Sequence, residues 1–119
     1  MKNIMLTCVF AIAFSGVATS QSTSQKISGH LVDTVCAKGH ATEPGYVENH
    51  TRMCNLMDGC IKSGYTLVLA DKKMMELDSK GNELALELSK SSRKDKDFKV
   101  TVTGAVSGSK IAVSSIALN

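Results

Sequence analysis

Near the C terminus the chain alternates between apolar and polar side chains. Residues 98–106 follow the period of two that is typical of a strand with one buried face. Residues 110–118 repeat this period, but their apolar positions change parity across Ser114 and Ser115, which predicts a β-bulge. Gly104 interrupts the first of the two strands, as a bend would, and the intervening Ser-Gly-Ser sequence predicts a hairpin loop. The pattern therefore predicts a strongly bent hairpin.

The rest of the chain predicts three further strands and two helices. The strands are expected at residues 26–35, 65–70 and 74–78, the helices at residues 49–62 and 83–91, and a loop at residues 37–48. Gly29 predicts a bend in the first strand. Five short, bent strands with a helix between the third and fourth favour a small barrel of the oligonucleotide/oligosaccharide-binding (OB) type. The expected fold class is α+β, mainly β with helices: a five-stranded OB-like antiparallel barrel with a capping helix.

The start of the chain has the pattern of an export signal. Lys2 precedes an apolar run over residues 4–18, and the small residues Ala18 and Ser20 stand at the two positions that signal peptidase reads. The run is shorter than the ~18–20 residues that a membrane-spanning helix needs. We expect a signal peptide at residues 1–20, a disordered leader at residues 21–25 and the barrel domain at residues 26–119, in the periplasm or outside the cell.

Composition argues against several classes of function. The chain has a net charge of +3 and is 4% aromatic, which is too little basic and aromatic surface to predict nucleic-acid binding. No second apolar run approaches membrane length, so no membrane association is expected after cleavage of the signal. The sequence offers no basis for a Ser-His-Asp triad, a phosphate loop or a paired-carboxylate site, and we expect a protein that is not an enzyme.

The predicted helix over residues 49–62 is amphipathic. On a helical wheel its apolar side carries Met53, Cys54, Leu56, Met57, Cys60 and Ile61. Asn55 falls on the polar side with the charged residues. We expect the sulfur-bearing side to pack inward, toward the end of the first strand.

Three of the four cysteines lie beyond the signal, and export favours their oxidation. Because three is an odd number, at most one intramolecular disulfide forms and one thiol remains. In a single helix, Cys54 and Cys60 are ~9 Å apart along the axis, beyond the about 7 Å between Cα atoms that a disulfide tolerates. Cys36 is therefore expected to form a disulfide with Cys60 or with Cys54.

A metal site is the alternative use of the same region. Its candidate ligands are Cys36, His40, His50, Cys54, Met57 and Cys60. Thiolate, thioether and imidazole donors together suit copper, and the cysteines and histidines alone suit zinc. The competing interpretation is that Met and Cys on an apolar helix face pack the core. Asp33, on the apolar parity of the first strand, is either a ligand or general base or, more commonly, a cap for the next turn.

Four stretches of sequence, in this element order, carry a resemblance to a known group of proteins. They are residues 29–36 (GHLVDTVC), 54–60 (CNLMDGC), 63–65 (SGY) and 100–104 (VTVTG). The chain resembles small exported bacterial proteins with an OB-like barrel, a loop that often bears His and a helix that bears Cys. Related members often have Cys-x3-Cys on this helix, whereas this chain has Cys-x5-Cys. The resemblance implies the fold and export more than any chemistry.

The sequence thus predicts an exported, non-enzymatic binding or structural module of unknown ligand, stapled by one disulfide. The alternative is a periplasmic protein that binds copper or zinc through the Cys/His/Met set. The expected partner is another protein or a metal ion, and no nucleic acid.

Overall fold

The computed structural model describes residue 16 and residues 23–119. The predicted signal peptide therefore lies outside the described residues except for Gly16, and so do the first two residues of the predicted leader. In chain order the elements are β1 (Ser24–Asp33), α1 (Thr34–His40), α2 (Tyr46–Asn49), α3 (Arg52–Asn55), α4 (Asp58–Ser63), β2 (Tyr65–Val68), β3 (Met74–Leu77), α5 (Ser79–Ser91), β4 (Lys99–Ser107) and β5 (Lys110–Leu118).

The five strands form one closed barrel in the order β1-β2-β3-β5-β4. The predicted class, a mainly β protein with helices built on a five-stranded barrel, is confirmed. The barrel is mixed rather than antiparallel throughout, since β3 and β5 run parallel where Glu76 pairs with Lys110 and Leu77 with Ile111. The prediction is wrong on this point because a closed ring with an odd number of strands cannot alternate in direction all the way round.

β1 bends where its pairing passes from one neighbouring strand to the other. Residues 24–30 pair with β4, and residues 30–33 pair with β2. Gly29 lies just before the exchange of partners, where a Cβ atom would come within 2.6 Å of the Val68 carbonyl oxygen. The predicted bend therefore coincides with a close backbone approach that glycine permits. β1 begins two residues earlier than predicted, since Ser24 and Gln25 of the expected leader already pair with β4.

The hairpin of β4 and β5 contains the predicted bulge. Thr103 pairs with Ser115 and Gly104 pairs with Val113, so Ser114 is the extra residue. The Ser114 hydroxyl donates a hydrogen bond to the Thr103 carbonyl oxygen at 3.0 Å. The bulge shifts the side-chain parity of β5, as the sequence predicts, and increases the local twist of the hairpin.

The prediction of one helix over residues 49–62 is wrong. The chain instead forms the end of α2, then α3 and α4, each of six residues or fewer. His50, Thr51 and Met57 separate them with extended backbone, at ψ angles of 128°, 153° and 140°. Thr51 restarts the helix by accepting a hydrogen bond from the Cys54 amide at 3.3 Å, which is the role of an N-cap. Local capping therefore overrides the continuous helical pattern.

The broken segment also changes which side chains are buried. Met53 and Met57, which the wheel placed on the apolar side, are 59% and 60% exposed, whereas Asn55 is fully buried. The loop predicted at residues 37–48 is shorter than expected, because α1 extends to His40 and α2 begins at Tyr46. Four short helices, not one capping helix, therefore lie between β1 and β2.

The fold has two apolar clusters. The barrel core consists of Leu31, Tyr65, Leu67, Met75, Leu77, Ala85, Phe98, Val100, Val102, Ile111 and Val113. The second cluster packs α1 and α2 against the opposite face of β1 and β2 and consists of Val32, Ala37, Ala41, Val47 and Val68. α5 starts four residues before the predicted helix because the Asp78 carboxylate accepts a hydrogen bond from the Gly81 amide at 2.9 Å. The second cluster fixes the short helices beside the end of β1.

Candidate functional site

The site is centred on Asp33, where β1 passes into α1. Asp33 is fully buried, and its Oδ1 accepts a hydrogen bond from the Cys36 amide at 3.1 Å as the N-cap of α1. Its own amide donates to Asn55 Oδ1 at 3.0 Å. A buried carboxylate is costly unless it is hydrogen-bonded or paired. The unusual apolar-parity position of Asp33 in the sequence is therefore explained by these contacts.

Cys36 and Cys60 bring their thiols to this carboxylate. Their Sγ atoms and an oxygen of Asp33 all lie within 4.8 Å of one another. Cys60 is buried in α4, and Cys36 is half-buried in the first turn of α1. The two cysteines approach to 4.4 Å without a bond, farther than the ~2.05 Å of a disulfide. The expected disulfide is therefore not formed, and the three described cysteines are free thiols.

His50 occupies another side of the carboxylate. Its Nε2 lies 2.9 Å from Asp33 Oδ2, and the two side chains are 2% and 0% exposed. With the Nε2–H group donating to Asp33, the other ring nitrogen, Nδ1, is buried and has no hydrogen-bond partner among the described residues. His50 thus reaches the thiols through Asp33 and is not one of the mutually close ligand atoms.

Burial and the carboxylate together set the protonation of the site. Burial raises the pKa of Cys60 to about 12, and the adjacent Asp33 adds to the effect. Burial likewise raises the pKa of Cys36, with Tyr46 opposing and Asp33 adding. Burial alone would raise the pKa of Asp33, but the interactions with His50, Cys36 and Cys60 outweigh it and hold that pKa below the ordinary value of 3.8. At neutral pH the site therefore holds a charged carboxylate beside two protonated thiols.

The other predicted ligands are not among the mutually close ligand atoms of this cluster. Cys54 is half-buried, and its Sγ accepts a hydrogen bond from the Thr51 hydroxyl at 3.2 Å. His40 is exposed, with its Nδ1 2.8 Å from a carboxylate oxygen of Glu43. Met57 precedes α4 and is 60% exposed. Three of the six predicted side chains therefore do not converge with the rest.

Tyr46 covers the site from α2. Its ring stacks on His40 at a centroid distance of 4.9 Å and is tilted against His50 at 5.8 Å. Burial raises the pKa of the Tyr46 hydroxyl, and the neighbouring Cys36 and Asp33 add to the effect. His40, although it is outside the cluster, thus packs on the Tyr46 ring, whose hydroxyl interacts with Cys36.

Asn55 holds the site together, and the sequence pattern did not single it out. In addition to its bond from Asp33, its Nδ2 donates to the Leu31 carbonyl oxygen at 3.2 Å. The Tyr65 hydroxyl donates to the Asn55 carbonyl oxygen at 2.5 Å. The residue therefore connects α3 to β1 and β2. The helical wheel gave no signal for this role, because a continuous helix would have turned Asn55 to solvent.

Four cavities of the described region are lined by residues outside the cluster. A cavity of about 460 Å³ lies between the start of α5 and the β4–β5 hairpin, and one of about 230 Å³ lies beside Thr34 and Tyr65. Asp33, Cys36 and Cys60 line neither of them. Two further cavities of the described region, of about 320 Å³ and 180 Å³, are not lined by them either.

Comparison with known proteins gives no family for the chain: no family model, no curated protein and no solved structure matches it. Within residue 16 and residues 23–119, no helix is long and apolar enough to cross a membrane.

Proposed function

We propose that the chain is an exported, non-enzymatic binding module that holds a soft or borderline metal ion between Cys36 and Cys60. The observation that carries the proposal is the convergence of both Sγ atoms and an Asp33 oxygen within 4.8 Å. Two sulfurs bound to one tetrahedral zinc ion at ~2.3 Å are about 3.8 Å apart. The 4.4 Å approach of the two cysteines is close to that value.

The surroundings of the cluster also support metal binding. His50 donates to the Asp33 carboxylate, as outer-shell groups do when they orient a ligand. Asn55 fixes the backbone of Asp33, because its Oδ1 accepts a hydrogen bond from the Asp33 backbone amide. Binding of a metal ion requires both thiols to lose their protons, and the ion then supplies the positive charge that the site lacks.

The test is to purify the exported protein without chelators and to measure bound metal and free thiols on the same sample. We expect one metal ion per chain. Loss of the metal in Cys36→Ser and Cys60→Ser, with retention in Cys54→Ser, would assign it to the cluster. The Cys54→Ser substitution also removes one sulfur atom, but outside the cluster. Absence of metal from the protein, or equal loss in all three variants, would refute the proposal.

A second candidate is the cystine-stapled module that the sequence predicts. The observation in its favour is again the 4.4 Å approach of Cys36 and Cys60, since an oxidising compartment promotes bonding between thiols at short range. Formation of this bond by exchange with a low-molecular-weight disulfide would release two reduced thiols from that reagent. The same measurement distinguishes the two functions: one free thiol, from Cys54, and no metal would indicate the staple.

A further inference from the structure

The proposed metal site contains a carboxylate as well as sulfur, and this bears on which ion it takes. Asp33 is fully buried and offers an oxygen within 4.8 Å of the sulfurs of Cys36 and Cys60. Copper(I) is selected by soft thiolate and thioether donors, whereas carboxylate oxygen is a ligand of zinc and of harder divalent ions. Besides its role as the N-cap of α1, the Asp33 carboxylate thus adds an oxygen donor that suits a zinc-type ion better than Cu⁺.

The charge of the donor set favours the same class of ion. Two thiolates and the carboxylate bring three negative charges into a region where Cys60 is 8% exposed and Asp33 is fully buried. A divalent cation compensates one more of these charges than Cu⁺ does, whether or not both ring nitrogens of His50, 2.9 Å from Asp33 Oδ2, carry a proton. Lys38, the lysine of α1, is already paired with Glu76 at 3.0 Å. Since uncompensated charge is costly away from water, the divalent ion is the better match.

We propose, on the basis of the proposed function, that the site is built for a borderline divalent cation of the Zn²⁺ type. Asp33 is the third protein ligand, and it shifts the preference of the site away from Cu⁺. Each carboxylate oxygen has two lone pairs, so an oxygen of Asp33 can bind the ion while it accepts a hydrogen bond. His50, at 2.9 Å from Asp33 Oδ2, is a positioning residue that holds the carboxylate.

The experiment compares Zn²⁺ and Cu⁺ affinities of the full exported protein, reduced and free of metal, by competition with chromophoric chelators. The informative variant is Asp33→Asn, which removes the charge and keeps an N-cap residue for α1. We expect the Zn²⁺ affinity to fall at least ~100-fold, because loss of an outer-shell partner alone can lower metal affinity by up to about 100-fold. The Cu⁺ affinity should change far less or rise. Cys54→Ser is the matched control and should leave both affinities unchanged.

The outcomes separate this inference from the function on which it rests. Equal weakening of both ions in Asp33→Asn, or no effect on Zn²⁺, would overturn the role of Asp33 while metal binding stands. Failure of the reduced protein to bind either ion would overturn both. If Asp33→Asn does not fold, the second measurement is the absorption spectrum of Co²⁺ bound to the unmodified protein. Thiolate-to-cobalt absorption from two sulfurs with tetrahedral ligand-field bands supports the inference, and absorption from three sulfurs or from none contradicts it.

Discussion

At the scale of single residues, Asp33 is a buried charge that the chain surrounds with donors. The Cys36 amide and the His50 ring bond to its carboxylate, and Asn55 bonds to its backbone amide. Each of these partners comes from a different stretch of chain, so the site depends on how the short helices are placed. Asn55 is the member whose loss leaves the most unsatisfied groups.

We predict that Asn55→Ala lowers the free energy of unfolding by about 3 kcal/mol, because it leaves the Asp33 amide and the Leu31 carbonyl buried without partners. The measurement is denaturant unfolding monitored by circular dichroism. Asn49→Ala is the control, since Asn49 is exposed and its side chain donates only to the Gly45 carbonyl oxygen. A loss in Asn55→Ala no larger than in the control would show that the Asn55 bonds do not hold the site.

At the scale of elements, the strands were predictable and the short helices were not. The period of two and the parity change across Ser114 are local properties, so the sequence reveals β4, β5 and their bulge. Helix limits depend on caps and on tertiary contacts. Thr51 and Met57 stand at helix starts inside a pattern that otherwise favours continuity, and Asn55 is buried only because the helix breaks.

The same reasoning explains what was predictable in the site. The sequence places Cys36 beside Cys60 or Cys54 and leaves both open. The break of the helix at Met57 is what brings Cys60, and not Cys54, to Cys36 and Asp33. His50 was identified as a ligand, but its Nε2 is engaged by Asp33. Asp33 is expected from the sequence to be a ligand or general base or, more commonly, a cap; the structure confirms the cap, since its carboxylate accepts a hydrogen bond from the Cys36 amide at the start of α1.

The bend of β1 gives a prediction at this scale. Gly29→Ala places a methyl group within 2.6 Å of the Val68 carbonyl oxygen, and we expect it to lower the free energy of unfolding by about 1–3 kcal/mol. Gly59→Ala, in α4, meets nothing within 4 Å and should leave stability unchanged or raise it by up to about 1 kcal/mol. Thermal unfolding of the two variants provides the comparison. Equal stability of the two variants would mean that β1 tolerates a side chain at residue 29 beside the Val68 carbonyl oxygen.

At the scale of the whole molecule, the barrel and the short helices meet at Asp33. The barrel closes through the parallel β3–β5 pair and is filled by its own core, while α1 and α2 pack on the other face of β1 and β2. A metal ion bound to Cys36 and Cys60 would join α1 to α4 at the end of β1. It would thereby stabilise the folded protein in proportion to its occupancy, as any ligand of the native state does.

X-ray absorption at the zinc edge of the Zn²⁺-loaded protein tests the cluster of Asp33, Cys36 and Cys60 most directly, because it counts the ligands by type and distance. We predict two sulfur neighbours at ~2.3 Å and oxygen or nitrogen neighbours at ~2.0–2.2 Å. A first shell with three or four sulfurs, or with none, would contradict the assignment.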